Sequence, residues 1–530
     1  MKTFMSVLAA AAILAVASAA ANAPGQVHIA YAGNAAGRSD GMTVSWQTDS
    51  NTATSTVKYG TSPGQYTHTA TGSEATYGFT VSHHVTFTGL EPGQKYYYVA
   101  GDEAGGWSAE ASFVAAPAIG AKADPWSVAI YGGAARLAAL VLCATAHLAP
   151  PLSRSQMSVT RLCCRGRIGP AMPPDAPPFV ALSSSRRCAC HAVTCTTHPG
   201  AVHFKPWYPH CPCLHRGVDN SKDTIALLNK NLDDQDFIWH VGDISYAGRS
   251  HPLKFGYEER WNTYMQSMQS IASTKAYMTL PGNHEAECHS GFCQLDHSLA
   301  EKLHNFTAYN TRFRMPSAES GGVMNMWYSF NYKNVHFVNI NTETDYPGAP
   351  TDSYLPFMPK NGGFGDQMTW LEADLKKAAA ARAAGEVAWI FVAGHRPVYS
   401  VDDQSDGKPG GSASALQTAV EDLFNKYGVD WYFCGHVHSY ERQWPTLHNV
   451  PQRTYVNPTA PAYVVSGAGG NIEGVTNYGD KTADWNVIKR SEWGYGVLTV
   501  SNETHLHWKF LNATNGALVD QVELIKTVRK

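Results

Sequence analysis

The ten residues Phe237–Tyr246, FIWHVGDISY, decide the fold, because an apolar strand-like run passes directly into glycine and polar side chains. The same arrangement recurs three times: YMTLPGNHE ends at Glu285, WIFVAGHR ends at Arg396, and DWYFCGHVH ends at His438. Helical patterns separate these runs, and strands that alternate with helices predict an α/β domain with helices covering a sheet. Ligands of such domains bind beyond the carboxyl ends of the strands, so we expect the four polar clusters to converge.

The sequence around these clusters predicts helices and further strands. Apolar side chains recur at helical intervals in four stretches, which predicts helices at Ser221–Leu232, Tyr257–Ile271, Asp366–Ala383 and Ala413–Tyr427. More strand-like runs fill Ala462–Ile525. We expect this C-terminal stretch to complete the second sheet of the same domain.

The N-terminal region has a different pattern. Within residues 24–118, short runs of alternating apolar and polar residues occur at Thr43–Gln47, Thr56–Tyr59, His84–Thr88 and Lys95–Val99. Turn signals rich in Pro and Gly separate these runs. Short, regularly spaced strands of this kind predict a β-sandwich.

The charge balance limits the class of partner. The 530 residues contain 40 Lys and Arg against 43 Asp and Glu, which gives a formal net charge of -3. A protein that binds nucleic acid usually carries a basic stripe, so this balance argues against a nucleic-acid partner.

The N-terminus predicts export from the cell. Residues 1–23 resemble a secretory signal peptide, with Lys2 before an apolar run at Phe4–Ala17 and small residues after it. The run is shorter than the roughly 20 residues that a membrane-spanning helix needs, so we expect a secreted protein without a membrane segment. Asn-x-Thr sequons support this prediction and mark glycosylation sites at Asn305, Asn502 and Asn512. In an oxidising compartment, Cys288 and Cys293 can close a small disulfide loop.

The polar clusters contain the side chains that bind metals. Asp, Asn, Tyr and His are ligands of hard and borderline cations. His436 and His438 lie two apart in an extended stretch, so they point the same way, and a carboxylate such as Asp243 can bridge two cations. Two neighbouring cations clamp a phosphoryl group and activate water, while a histidine not used for metal can protonate the leaving oxygen. One such cluster is a weak signal, whereas four clusters that each follow a strand favour a shared site over isolated loops.

On these residues the chain resembles the purple acid phosphatases, within the calcineurin-like metallophosphoesterases. Four of the five motifs of that family match GDISY at Gly242–Tyr246, GNHE at Gly282–Glu285, VAGH at Val392–His395 and GHVH at Gly435–His438. LEPGQKYYYVAG at residues 90–101 also resembles the fibronectin type III-like domain of the large members. The resemblance implies a fold with an N-terminal β-sandwich at 24–118 and a four-layer αββα metallophosphoesterase domain at 125–132 and 217–447, completed by 460–526.

The resemblance also implies a dinuclear metal centre of Fe(III) and a divalent ion, which is zinc, manganese or iron. The implied ligands are Asp243 between both ions, Tyr246 and His438 at the ferric ion, and Asn283, His395 and His436 at the divalent ion. His284 would contact the substrate phosphate and assist protonation of the leaving group. The implied activity is hydrolysis of small phosphate monoesters by a metal-bound hydroxide at acidic pH.

The first family motif, Asp-x-Gly, is missing. The strand Trp126–Tyr131 should lead into it, but the chain continues Gly132-Gly133-Ala134-Ala135. The 84 residues 133–216 that follow the strand hold eight of the 11 Cys and nine Lys and Arg against one Asp. Three interpretations compete: a Cys/His zinc module, a disordered basic loop with reactive thiols, and a retained intron that was read through. We favour the intron, because family-like sequence continues on both sides.

The missing Asp predicts a weakened ferric site and an impaired or inactive enzyme. One alternative is a phosphodiesterase or nucleotide pyrophosphatase on the same scaffold. A second alternative is a non-catalytic secreted protein that binds partners through its β-sandwich. The missing Asp favours the second alternative, and the four retained clusters oppose it. No residue pattern indicates the oligomeric state.

Overall fold

The N-terminal region folds as two facing β-sheets. The computed structural model describes residues 22–33, 39–120, 125–135, 220–249, 256–290 and 293–527. One sheet has the order β1-β2-β6-β5, with β1 Gly25–Ala32, β2 Gly41–Thr48, β5 Ser73–Thr76 and β6 Val81–Thr88. The other has the order β4-β3-β7-β8, with β3 Thr56–Gly60, β4 His68–Thr71, β7 Lys95–Asp102 and β8 Gly106–Trp107, and β9 Ala111–Val114 also pairs with β7. Met42, Val44 and Trp46 alternate along β2 and face the core between the sheets. The region is a β-sandwich, as predicted.

Two larger sheets form the centre of the remaining chain. The six-stranded sheet has the order β12-β11-β10-β24-β25-β26, with β10 Trp126–Tyr131, β11 Phe237–Val241, β12 Ala276–Leu280, β24 Gly494–Val500, β25 His505–Asn512 and β26 Leu518–Ile525. The seven-stranded sheet has the order β13-β14-β15-β18-β22-β19-β23, with β13 Tyr328–Tyr332, β14 Val335–Asn339, β15 Trp389–Ala393, β18 Trp431–Cys434, β19 Tyr440–Gln443, β22 Ala462–Ser466 and β23 Asn486–Arg490. Short ribbons pair β16 Gln404–Ser405 with β17 Lys408–Pro409 and β20 Thr446–Leu447 with β21 Val450–Pro451.

The two large sheets pack face to face through aromatic side chains. The ring of Phe237 lies 5.3 Å from that of Phe337, and the ring of Trp239 lies 5.8 Å from that of Phe433. Trp239 also donates from its indole nitrogen to Oδ1 of Asn339 at 2.7 Å, which satisfies its only polar group inside the core.

Helices cover the outer faces of the sheets. The longer ones are α1 Ser221–Lys230, α2 Gly256–Ala272, α7 Gln367–Ala383 and α8 Gly411–Tyr427, and the short ones are α3 Asn283–Ala286, α4 His297–Lys302, α5 Thr307–Arg312 and α6 Ser317–Ser320. One-turn 3₁₀ helices lie at Leu232–Asp234 and Ala247–Arg249. Ile390 and Val392 of β15 pack with Leu371 of α7 and Leu416 of α8, whereas Phe391 faces the opposite core. The two-residue period of the strand therefore fills both cores, and helices and sheets form the predicted αββα layers.

The β-sandwich packs directly on the neighbouring domain through buried polar groups. Arg312, whose side chain is 1% exposed, pairs with Glu258 and donates from Nε to the hydroxyl of Tyr77 at 2.9 Å. Tyr98 donates to the carbonyl of Ser273 at 2.8 Å. A buried arginine needs such partners, because an unpaired charge in the interior is strongly unfavourable.

The C-terminal stretch differs from the prediction in one respect. We expected residues 462–525 to complete one sheet, but β22 and β23 join the seven-stranded sheet while β24, β25 and β26 extend the six-stranded one. The pairing partner of a strand depends on distant residues, so the local pattern does not specify it.

Several predicted features fall outside the described part of the chain. These are residues 1–21 of the predicted signal peptide and residues 136–219, which include nearly all of the anomalous insert. Within the described residues, none of the helices is both long and apolar enough to cross a membrane. Cys288 and Cys293 are joined in a disulfide, and Cys434 is a buried free thiol.

Candidate metal centre

The four polar clusters meet where parallel strands end. β11 and β12 run parallel in the six-stranded sheet, and β15 and β18 run parallel in the seven-stranded sheet. Because the two sheets face each other, the carboxyl ends of all four strands open on one cleft between them. The convergence expected from the sequence is therefore present.

Tight backbone turns direct the side chains into this cleft. Asp243, Tyr246 and His436 have positive φ values of 55°, 53° and 60°, a left-handed conformation that is uncommon for residues other than glycine. A Cβ atom at Gly242 would collide with the ring of His395, and one at Gly282 would collide with the carboxylate of Asp243. Both glycines are required, since they let the loops approach closely enough for their donor atoms to meet.

Three side chains form the first half of the site, which we call the tyrosine half-site: Asp243, Tyr246 and His438. The hydroxyl of Tyr246 lies 3.0 Å from Oδ2 of Asp243 and 2.8 Å from Nε2 of His438. Asp243 and Tyr246 are buried, and the side chain of His438 is 15% exposed.

Four side chains form the second half, which we call the histidine half-site: Asp243, Asn283, His395 and His436. Oδ1 of Asn283 lies 3.1 Å from Nε2 of His395 and 3.0 Å from Nδ1 of His436. Nε2 of His395 lies 3.1 Å from Oδ2 of Asp243. Ligand atoms of Asp243, His395 and His436 all lie within 4.8 Å of one another. The same Asp243 oxygen therefore belongs to both half-sites.

The donor atoms suit cations in both half-sites. Nδ1 of His395 lies 3.0 Å from the carbonyl of Val241, which can only accept, so Nδ1 holds a proton and Nε2 is the atom left for a metal ion. Asn283 Oδ1 and Asp243 Oδ2 beside it are acceptors. Such a gathering of acceptor atoms is favourable when a proton or a cation lies among them.

The charges in the cleft favour the ionised forms that bind metal. Burial alone would raise the pKa of Asp243, but the imidazoles of His395 and His284 hold it well below its usual range. Burial opposes the charged form of His395, yet Asp243 raises the pKa of its imidazole to about 9. Burial and the neighbouring Arg396 lower the pKa of His436 well below its usual value. His395 thus keeps a proton that a bound metal ion would replace, while His436 is neutral.

His284 lies beside the tyrosine half-site, where Nε2 of its ring is 3.6 Å from Oε1 of Glu473. Its backbone N–H donates to Oδ1 of Asp243 at 3.1 Å, and its ring lies 4.2 Å from the ring of Tyr246. The side chain is 3% exposed. This placement puts the imidazole at the edge of the tyrosine half-site, next to the cleft.

Several supporting residues were not identified from the sequence. Glu285 accepts hydrogen bonds from the backbone N–H groups of Asp243, Ile244 and Gly282 at 2.8 to 2.9 Å, which ties two site loops together. Burial and the nearby Asp243 raise the pKa of Glu285 to about 7. The position of Glu285 in the GNHE motif could have indicated a role in the site. The neighbouring sequence does not show that its carboxylate turns back to the loop of Asp243.

Arg396 follows the ligand His395 and was also unassigned. Its guanidinium forms a two-pronged ion pair with Glu343, with N–O distances of 2.8 to 3.0 Å. Nη1 of Arg396 lies 3.1 Å from Nε2 of His436. The predicted ligand His436 is therefore in contact, through Nε2, with the positive charge of Arg396, which Glu343 holds in place.

Comparison with known proteins identifies the family. Residues 24–115 match the purple acid phosphatase N-terminal domain, residues 209–440 match the calcineurin-like phosphoesterase domain, and residues 460–521 match the iron/zinc purple acid phosphatase-like C-terminal domain. The chain belongs to the purple acid phosphatase family. A family of this description implies a metal site, and the two half-sites supply the side chains for it.

Individual relatives agree with this assignment. The chain is 34% identical to acid phosphatase A of Cryphonectria parasitica over 334 residues, which is 57% of this chain and 64% of that protein. It is 26% identical to purple acid phosphatase 18 of Arabidopsis thaliana over 92% of this chain and 80% of that protein. The match to the acid phosphatase of Aspergillus ficuum covers 52% of that protein, so the chain spans between half and two thirds of these two fungal relatives. A purple acid phosphatase from yellow lupin seeds shares the fold, with a TM-score of 0.65 and 19% identity over 95% of this chain and 75% of its own.

Proposed function

We propose that this purple acid phosphatase family member is a secreted acid phosphatase that hydrolyses phosphate monoesters at a centre of Fe(III) and a divalent ion. The observation that carries the proposal is the arrangement of two sets of donor atoms around one shared oxygen, Oδ2 of Asp243. The names of the fungal and plant relatives support the same reaction.

The proposed ligands follow the two half-sites. Tyr246 and His438 would hold Fe(III), Asn283, His395 and His436 would hold zinc, manganese or iron(II), and Asp243 would bridge the two. When bound, such ions neutralise the charge of a phosphate ester and make water a better nucleophile.

The protein's own groups perform the remaining tasks. Asp243, which stays ionised because of His395 and His284, supplies negative charge where both half-sites meet. We propose that His284 contacts the substrate phosphate and transfers a proton to the leaving oxygen, since its imidazole borders the cleft and belongs to neither ligand set. The backbone hydrogen bond from His284 to Asp243 fixes that position.

The proposal is tested on the purified full chain with p-nitrophenyl phosphate at acidic pH, together with measurement of bound iron, zinc and manganese. We expect hydrolysis that requires bound metal, and a fall of at least about a hundredfold for Asp243→Asn, because this change removes the shared anionic ligand. Asn tolerates the left-handed backbone at this position, so the fold should persist. A chain that binds both metals yet hydrolyses no phosphate monoester would contradict the proposed function.

The chain departs from its family at the first motif, where Gly133 stands at the position expected for an Asp. We propose that activity is reduced for this reason, since the Asp of the first motif is missing. Sequencing the transcript across codons 131 to 218 tests our interpretation of residues 133–216 as a retained intron. A shorter transcript that restores Asp-x-Gly supports this interpretation. It is contradicted if the only transcript is the full-length one, which lacks Asp-x-Gly.

The three proposed glycosylation sites have different surroundings. Asn502 is exposed, whereas Asn305 and Asn512 are partly buried. Nδ2 of Asn305 donates to the carbonyl of Gly362 at 3.1 Å, and Nδ2 of Asn512 donates to Glu492 at 2.5 Å. We therefore propose Asn502 as the principal glycosylation site, and mass spectrometry of the secreted protein tests that order.

A further inference from the structure

The two half-sites contain unequal numbers of protein ligands. Four side chains meet in the histidine half-site, whereas three meet in the tyrosine half-site, and Asp243 is common to both. A ferric ion prefers hard oxygen ligands and a high negative charge. The tyrosine half-site therefore lacks a carboxylate of its own.

Position 133 cannot supply that carboxylate in this fold. A Cβ atom at Gly133 would lie 3.4 Å from the hydroxyl of Tyr246, so the position does face the half-site. The same atom would lie 2.6 Å from the carbonyl oxygen of Gly467, and Gly133 has φ of 65°. A side chain here would require the backbone to shift, because that contact is shorter than non-bonded atoms allow.

Glu473 places a carboxylate next to the tyrosine half-site from a different loop. Oε2 of Glu473 lies 3.7 Å from Nε2 of His438, and Oε1 lies 3.6 Å from Nε2 of His284. The residue is exposed as a whole, but its side chain is only 23% exposed because it turns inward. Oδ1 of Asn471 accepts the backbone N–H of Glu473 at 2.8 Å, which fixes the turn.

We infer that Glu473 is a further metal ligand and supplies the carboxylate that the tyrosine half-site lacks. The inference rests on the proposed metal centre. Ligand atoms on one ion with bonds of about 2.0 to 2.2 Å are separated by about 3 to 3.5 Å. The Glu473–His438 separation is within a few tenths of an ångström of that range, and a small side-chain rotation closes the difference.

The experiment compares the wild-type full chain with Glu473→Gln, which keeps the shape of the side chain and removes its charge. Asp480→Asn is the matched control, because Asp480 is an exposed acid in the same loop. Each purified protein is titrated with iron in the metal-free state, and the visible absorbance from the bond between tyrosinate and iron is recorded. We expect Glu473→Gln to weaken iron binding at least about tenfold and to shift the visible band, while Asp480→Asn changes neither.

Each result has a definite meaning. Iron affinity and a visible band that are the same in Glu473→Gln and in the wild type would overturn the inference and leave the proposed centre intact. A change confined to the pH profile of hydrolysis would also overturn it, because Glu473 would then act on His284. A wild-type chain that binds no iron would overturn both the inference and the proposed centre. Iron binding that depends on Glu473, in a chain without phosphatase activity, would support the inference and contradict the proposed function.

Discussion

The hydroxyl of Tyr246 lies 2.8 Å from Nε2 of His438, although the two residues are 192 positions apart in the chain. The same hydroxyl lies 3.0 Å from Asp243. Burial, together with the neighbouring carboxylates of Asp243 and Glu473, raises the pKa of Tyr246 well above its usual value. A buried phenol in this environment ionises only if a strong positive charge replaces its proton. The contact between Tyr246 and His438 therefore suits a bound cation, which we propose to be Fe(III).

Replacement of Tyr246 by Phe should abolish the visible absorbance of the iron-loaded protein. The ring of Phe keeps the packing against His284 but has no oxygen to bind the ion. We expect an unchanged thermal unfolding temperature for the metal-free protein and a loss of iron affinity of at least about tenfold. Absorbance spectra and metal analysis measure both, and a retained visible band would show that another group produces it.

Replacement of Arg396 by Gln should strengthen binding of the divalent ion. Arg396 can only donate hydrogen bonds, so its position 3.1 Å from Nε2 of His436 favours the tautomer with a proton on Nδ1. Binding of an ion through Nδ1 requires the other tautomer, which a Gln carbonyl can accept from Nε2. We expect about a tenfold gain in zinc affinity, equal to about 1.4 kcal/mol.

Arg396→Lys is the matched control for this prediction, because lysine is also a donor-only cation. Its zinc affinity should stay near that of the wild type, as measured by titration with a competing chelator. Weaker zinc binding in Arg396→Gln than in Arg396→Lys would contradict the proposed role of the tautomer.

Replacement of Asp520 by Asn should destabilise the fold by about 3 to 5 kcal/mol. Asp520 accepts from Nε and Nη2 of Arg442 at 2.6 and 2.9 Å, and this pair joins β26 of one large sheet to β19 of the other. The side chains of Arg442 and Asp520 are 7% and 9% exposed, so the variant leaves a buried arginine without its counter-ion. Urea denaturation measures the change.

The exposed ion pair of Lys58 and Glu103 provides the control for Asp520. Glu103 has a side chain that is 81% exposed, and solvent screens its charge. Glu103→Gln should leave the free energy of unfolding almost unchanged. A similar effect for both variants would show that burial does not set the value of the Arg442–Asp520 pair.

The β-sandwich should lose stability on acidification below pH 6.5. Burial lowers the pKa of His84 from 6.5 to about 4, and the ring lies between Ser45 and the carbonyl of Thr311. The unfolded chain binds a proton at His84 between pH 6.5 and 4 while the folded chain does not. The free energy of unfolding therefore falls as the pH drops through this window, by on the order of 3 kcal/mol for this group.

His84→Gln should reduce the slope of this pH dependence, because glutamine does not titrate. The part that remains comes from groups such as His28 and His83, whose pKa values burial also lowers to about 4. Denaturant unfolding at pH 7, 5 and 4 measures the slope. His68→Gln is the control, since His68 is exposed on the other sheet of the sandwich. An equal slope in His84→Gln and the wild type would assign the acid sensitivity to other groups.

The sequence by itself determined the secondary structure of the central domain and most of the site. Apolar periodicity placed the helices at 221–230 and 411–427 and the strands at 237–241 and 276–280 to within two residues, because burial of one helix stripe or of a whole strand leaves a local pattern. Glycine and polar residues after each strand identified Asp243 and Asn283 in the same way.

Only the tertiary structure decided which distant groups complete the site. Glu285, Arg396 and Glu473 contact residues on other loops. A single charged residue in a loop has no sequence period that reveals such a partner. The tertiary structure also divided residues 462–525 between two sheets and paired Arg442 with Asp520 across them. Pairing across a fold depends on complementary surfaces that come together only when the chain is compact, so the local sequence cannot specify it.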